Sequence, residues 1–243
     1  MDGGTLIMRT VLLGTVLALI AALLAPPARA FSDDELIDGF QRTVFGSEYQ
    51  SFGWQSFLVK KFTEPVRVFV DDRSTARRGR EVERFVGSLP GMIAGLNIEF
   101  VTDAADANYR VFVIDRSAYR EVVLREIYSR PDSSFAPGKC LVRVLSTSSG
   151  ITRSDAVIVA DEGEFLFRRC MVEEVLQGFG PINDDRTLSE SIFNDRSKLA
   201  IFTRFDQHIL NMLYDPRIEA GMTKLEAARV LPSVIAEVRA RLD

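Results

Sequence analysis

The sequence predicts an α/β (α+β) fold: a mixed, mostly parallel five-stranded sheet with packed helices and a mainly helical C-terminal part. Three observations carry this. Five short segments rich in Val, Ile and Phe are bounded by turn-forming residues. The first two enclose a stretch of helical periodicity, and a strand–helix–strand crossover pairs its strands in parallel. The last two are joined only by Ser146-Thr-Ser-Ser-Gly150. That turn is too short for a crossover, so it predicts an antiparallel hairpin.

Taken in order, residues 31–61 mix polar and aromatic side chains, with clusters at Phe52-Gly-Trp54 and Phe57-Leu-Val59, and predict one or two packed helices. Residues 65–70 alternate and run into Asp71-Asp72, giving strand one. Val82, Phe85, Val86 and Leu89 recur at helical spacing, so 75–89 is an amphipathic helix that Pro90-Gly91 ends. Strands two and three are 97–101 and 108–114. A helix over 117–129 turns Val122, Val123 and Ile127 inward, and 131–139 is a loop. Strand four is 140–145. Strand five, 155–160, is apolar nearly throughout, as a central buried strand should be.

The length of 243 residues and 47% hydrophobic content allow one large domain or two small ones, and the continuous strand–helix pattern favours one over 31–243. Within it, 31–180 reads as the sheet part and 181–243 as the helical part. The formal charge of −4, with no run of five like charges, excludes an electrostatic nucleic-acid surface. Residues 1–30 read as a signal peptide. Arg9 gives the basic flank, 11–25 the apolar run, and Ala28 and Ala30 suit cleavage before Phe31. Met8 offers a second start. The mature chain is then periplasmic or secreted, with no permanent membrane span. Export makes a Cys140–Cys170 disulfide the favoured reading over two buried thiols or a nucleophilic cysteine.

The chemistry concentrates at residues 163–184. A helix over 163–177 starts under an Asp161 cap with Glu164 three residues on. Phe165, Val172 and Leu176 mark one apolar line; Phe167, Met171 and Val175 mark another. Glu173 and Gln177 are one turn apart on one face, with Glu174 beside them and Cys170 a turn back. Gly178 and Gly180 end the helix, and a chain folding back brings Asn183 towards Gln177. Glu174 is the candidate general base. Glu173 and Glu174, with Asp184, Asp185, Asn194 and Asp195 in following loops, offer oxygens that suit a calcium-like hard cation. Zinc is disfavoured, because Gln177 and Asn183 supply only amide oxygens. The plain alternatives are Glu173 and Gln177 on a solvated face, Phe193 in the core, His208 as an ordinary helix residue and Arg168-Arg169 as salt-bridged surface.

From Glu173 the spacing resembles the zinc helix H-E-x-x-H-x-x-G-x-x-H of the metzincin metallopeptidases. Glu173, Gln177 and Asn183 stand at the three ligand positions, Glu174 at the base and Gly180 at the turn. Downstream, Ser191-Ile-Phe-Asn-Asp195 resembles that family's methionine turn, with Phe193 at the methionine. Phe202-Thr-Arg-Phe-Asp206 with Leu213-Tyr214 resembles its C-terminal helix, and Thr203 and Asp206 independently fit N-cap and N3. The whole chain also resembles an exported bacterial domain-of-unknown-function family with Glu-Glu-x-x-Gln-x-x-Gly-x-x-Asn-Asp at this place. The resemblance implies a peptidase scaffold without its histidines and a substrate-binding edge strand at Leu141, Val142, Arg143, Val144 and Leu145.

Two functional expectations follow. One is a non-catalytic module that binds a peptide or protein without a cofactor, the binding residues being Glu173, Gln177, Asn183, Asp184 and the edge strand. The other is a hydrolase using Glu174 with an atypical metal or none. Past residues 215–221, which read as a loop, Thr223 and Glu226 start a last helix over 224–242 with a kink or break near Pro232.

Overall fold

Five strands, β1 (Val66–Asp72), β2 (Ile98–Phe100), β3 (Tyr109–Ile114), β4 (Leu141–Thr147) and β5 (Gly150–Val159), form one sheet in the order β2-β1-β3-β5-β4. The computed structural model describes residues 30–46, 57–133 and 136–243. The expected signal segment and the Phe52-Gly-Trp54 cluster therefore lie outside the described residues. Pairing is parallel between β1 and β2, β1 and β3, and β3 and β5, and antiparallel only between β4 and β5. This is the mixed, mostly parallel sheet that the strand–helix order predicts.

Strand β5 is longer at its N-terminal end than the apolar run indicates. Thr152, Arg153 and Ser154 hide it, yet Ile151 N–H donates to the Lys61 carbonyl at 2.9 Å. Asp155, almost fully buried in mid-strand, is held by Arg110 at 2.6 Å and Arg153 at 3.0 Å. A buried carboxylate survives in a strand only with such partners.

Six α-helices are described: α1 (Asp33–Val44), α2 (Gly79–Ser88), α3 (Arg116–Val122), α4 (Glu164–Gln177), α5 (Arg204–Tyr214) and α6 (Lys224–Leu242). Helix α3 passes directly into a π-helix at Val123–Ile127, where the sequence predicts a plain helix. Helix α6 runs unbroken through Pro232, so the expected break is absent. Thr223 and Glu226 form the predicted capping box. Residues Ser32–Asp243 make up one unit, in which α1 packs on α5 and α6. The helical layer thus draws on both ends of the chain.

Side-chain parity assigns the two faces of the sheet. Tyr109 of β3 reaches α4, where its hydroxyl donates to the Val175 carbonyl at 2.8 Å. Its neighbour Phe112 lies on the other face, under Arg73, which pairs with Glu126 of the π-helix. Alternation along a strand therefore sends odd residues of β3 to α4 and even ones to α3.

Candidate functional site

Helix α4 begins differently from the sequence expectation. Its N-cap is Gly163, at φ +96°, with no side-chain cap. Asp161 instead accepts from Arg116 N–H at 2.7 Å, at the start of α3. Positive φ is cheap only for glycine, so the chain turns at 163 and frees Asp161 for another helix. Phe165 is also not inward: it is 52% exposed. The second half of α4 is enclosed, with Val172, Val175 and Leu176 buried alongside Glu173, Glu174 and Gln177.

The predicted convergence of Glu173, Glu174 and Gln177 is present. All three line a cavity of about 190 Å³, joined by Asp184 and Asp195 from the loops that follow. Gln177 Nε2 donates to Asp184 Oδ1 at 2.8 Å. Asn183 departs from expectation and does not line the cavity. Its N–H donates to the Thr43 carbonyl at 3.1 Å and its Nδ2 to the Arg42 carbonyl at 2.7 Å. The last carbonyls of α1 need donors, and Asn183 supplies them. Asp184 consequently takes the place beside Gln177.

Arg169 is the residue that sequence reasoning undervalued. It is an almost buried hub, not surface. Its guanidinium donates to Glu173 Oε1 at 2.8 Å and to the carbonyls of Asn194 and Leu199, each at 3.1 Å. Further bonds reach Ser197 and Ile192. Its side chain is 11% exposed and that of Glu173 is 12% exposed. A planar guanidinium with five N–H donors suits this task, and the i to i+4 spacing to Glu173 was the available signal. Arg168, by contrast, is surface and pairs with Glu164.

The loop residues considered as oxygen ligands are engaged in folding the loop. Asp185 pairs with Arg42 at 3.1 Å. Burial raises its pKa, but bonds from Thr187 and Arg42 outweigh burial and hold it below the usual range. Asn194 donates to the Leu188 carbonyl at 3.2 Å, and Asp195 lies 3.9 Å from Arg186. Among the described residues no group of three or more His, Cys, Asp or Glu is placed to hold a metal ion. His208 is buried in α5, with Nδ1 2.8 Å from the Arg204 carbonyl and Nε2 3.3 Å from Asp243.

The 191–195 turn is tied to α5 through one carboxylate. Asp206 accepts from Ser191 Oγ at 2.6 Å, Ile192 N–H at 2.9 Å and Thr203 Oγ1 at 2.6 Å. Thr203 is the N-cap and Asp206 the N3 residue, as the sequence predicts. Phe193 is fully buried. Tyr214, also buried, donates its hydroxyl to the Phe179 carbonyl at 3.1 Å, fastening α5 to the end of α4.

The cavity's other wall leads into β4. Cys140 and Cys170 are disulfide-bonded, with Cα atoms 5.8 Å apart, joining the entry of β4 to α4. Gly138, Lys139 and Cys140 complete the lining there. Because Cys140 points to α4, Val142 and Val144 face the same side by alternation. Arg143 faces the opposite side, bonded to the Ile127 carbonyl and 5.4 Å from the Tyr128 ring. Leu141 is buried and Leu145 is 39% exposed.

The main chain of β4 can be assigned in the same way. Ser154 and Ala160 donate to β3-side carbonyls, so even residues of β5 bond towards β3 and odd residues towards β4. Arg143, opposite Asp155, is therefore in a hydrogen-bonded pair. Val142 and Val144, opposite Ala156 and Ser154, turn their N–H and C=O groups outward. Strand β4 is the sheet edge, and among the described residues no main-chain group bonds to that outer side.

A five-stranded, mostly parallel sheet with packed helices, one of them joined by a disulfide to the entry of the edge strand β4, defines the chain as an α/β protein. The chain belongs to the family described as "Protein of unknown function (DUF2927)", whose model matches residues 33–233. No curated protein and no solved structure matches it.

Proposed function

We propose that this chain is an exported, non-catalytic peptide- or protein-binding module on a metzincin-like scaffold. Its partner lies extended along β4. The carrying observation is the outward main chain of Val142 and Val144, beside a cavity lined by Glu173, Glu174, Gln177 and Asp184. An added strand satisfies edge N–H and C=O groups, and pockets for alternate side chains give selectivity. The metzincin-like reading rests on the spacing of Glu173, Glu174 and Gln177 and on the hairpin edge, while Asn183, at the third ligand position, points to α1 instead of joining them. A disulfide between the only two cysteines accords with export to an oxidising compartment. Glu173, at the first ligand position of the resembled motif, is engaged by Arg169, which favours binding over metal-assisted hydrolysis.

The test uses a random peptide library panned on the full mature chain. Wild type should enrich extended peptides. Val142→Pro and Val144→Pro should each weaken them about tenfold or more, since each removes one outward donor and places a ring at the edge. Both variants leave the β4–β5 bonds intact, so thermal melts should show a native fold. Equal binding by wild type and folded proline variants overturns the edge assignment. Cleavage of selected peptides that Glu174→Gln abolishes would replace binding by hydrolysis.

A further inference from the structure

We infer that the β4 partner is a strand with an acidic side chain opposite Arg143 and an apolar one opposite Leu145, on the sheet face turned away from α4. This rests on the strand-pairing reading above and names the chemistry of its partner. The register places the groups. Arg110 of β3, Asp155 of β5 and Arg143 of β4 lie in one row across the sheet, and Arg153 and Leu145 stand opposite each other in the next. Cross-strand partners share a face, so these side chains all point away from α4. Asp155, buried between the arginines, accepts from Arg110 Nε at 2.6 Å and from Arg153 Nε at 3.0 Å. Two guanidiniums thus share one anion. Among the described residues nothing accepts from their terminal Nη groups, and the Arg153 side chain is 38% exposed. Arg143 adds a third cation. It donates to the Ile127 carbonyl and lies near the Tyr128 ring, and among the described residues no carboxylate pairs with it. Asp71 and Glu126 are both taken by Arg73, and Glu99 lies in β2 at the far edge.

The edge supplies the second part. Val142 and Val144 turn their main chain outward, so an antiparallel strand makes hydrogen-bonded pairs with them. Its intervening residue then falls opposite Arg143 in the closer, non-hydrogen-bonded type of pair, with Cα atoms about 4.5 Å apart. That side chain shares the Arg143 face. Glu or Asp there completes an opposite-charge cross-strand pair, beside guanidinium donors whose planar fork fits a carboxylate. Lys or Arg there would meet like charge. Two residues earlier the same strand passes Leu145, which is apolar and 39% exposed, and an aliphatic or aromatic side chain covers it. The partner therefore reads apolar–x–acidic from its N-terminal end.

The experiment sequences the peptides that a random library yields on the full mature chain. It then measures one selected peptide and two synthetic relatives, with the acidic residue replaced by Gln or by Lys. The library should enrich the apolar–x–acidic pattern. Gln should weaken binding to wild type about fivefold and Lys further, with the gap narrowing as salt rises. Arg143→Glu should reverse the order, so that the Lys peptide binds best. Arg153→Gln leaves Asp155 paired with Arg110 and serves if Arg143→Glu fails to fold; it should narrow the gap between the acidic and Gln peptides. A library without acidic enrichment at that spacing, or equal affinity of wild type for all three peptides, overturns the inference. If Val142→Pro still abolishes that binding, the edge reading survives alone. If no peptide binds wild type, both fall.

Discussion

At Asp206, burial outweighs the hydrogen bonds from Ser191, Thr203 and Ile192 and raises the pKa from its ordinary 3.8 to about 6. The folded state then binds more protons than the unfolded chain between these values. Stability contributed by this group is thus present below about pH 4 and lost as pH rises through about 6. The span of roughly two units corresponds to about 3 kcal/mol at most. Comparing urea midpoints of wild type and Asp206→Asn at pH 4 and pH 7 should show a difference that moves against wild type as pH rises. A pH-independent difference would place Asp206 at an ordinary carboxylate pKa. Gly178 makes a second prediction. Its φ is −60°, so left-handed capping does not explain it. A Cβ there would lie 2.0 Å from the Tyr109 hydroxyl. Gly178→Ala should cost about 1–3 kcal/mol in chemical denaturation, with partial recovery in the Tyr109→Phe background.

At the scale of elements, α4 is held from both sides, by the disulfide to β4 and by Arg169 to the 192–199 loop. Replacing both cysteines by serine should cost about 3–4 kcal/mol, the chain-entropy value for a loop closed across 30 residues. Arg169→Met should cost about 3–5 kcal/mol, because it removes the guanidinium from a largely buried carboxylate and the donors from four loop carbonyls. Guanidinium denaturation with intrinsic fluorescence checks both. Strands β1, β2, β3 and the hairpin were legible because β-branched runs and turn residues act locally. The polar start of β5 was not, since what holds it, the bond from Ile151 N–H to the Lys61 carbonyl and the pairing with β4, lies outside the segment's own residues. Arg169's pairing to Glu173 was readable at i to i+4. Its loop acceptors were not, because they depend on how the chain returns after Gly180. Asn183 was assigned to the cavity for the same reason: only the folded position of the α1 terminus shows that it caps Arg42 and Thr43.

For the whole molecule, the proposed function turns on whether the outer side of β4 is an open ladder. The disulfide ties the entry of β4 to α4, and Arg169 ties α4 to the 192–199 loop. The most direct measurement is residue-resolved amide hydrogen exchange of Val142 and Val144, against Arg143, in the free mature protein and with a selected peptide. An open edge predicts fast exchange at 142 and 144, slow exchange at 143, and strong slowing at 142 and 144 once peptide is bound. Protection of Val142 and Val144 already in the free protein, unchanged by peptide, would contradict it.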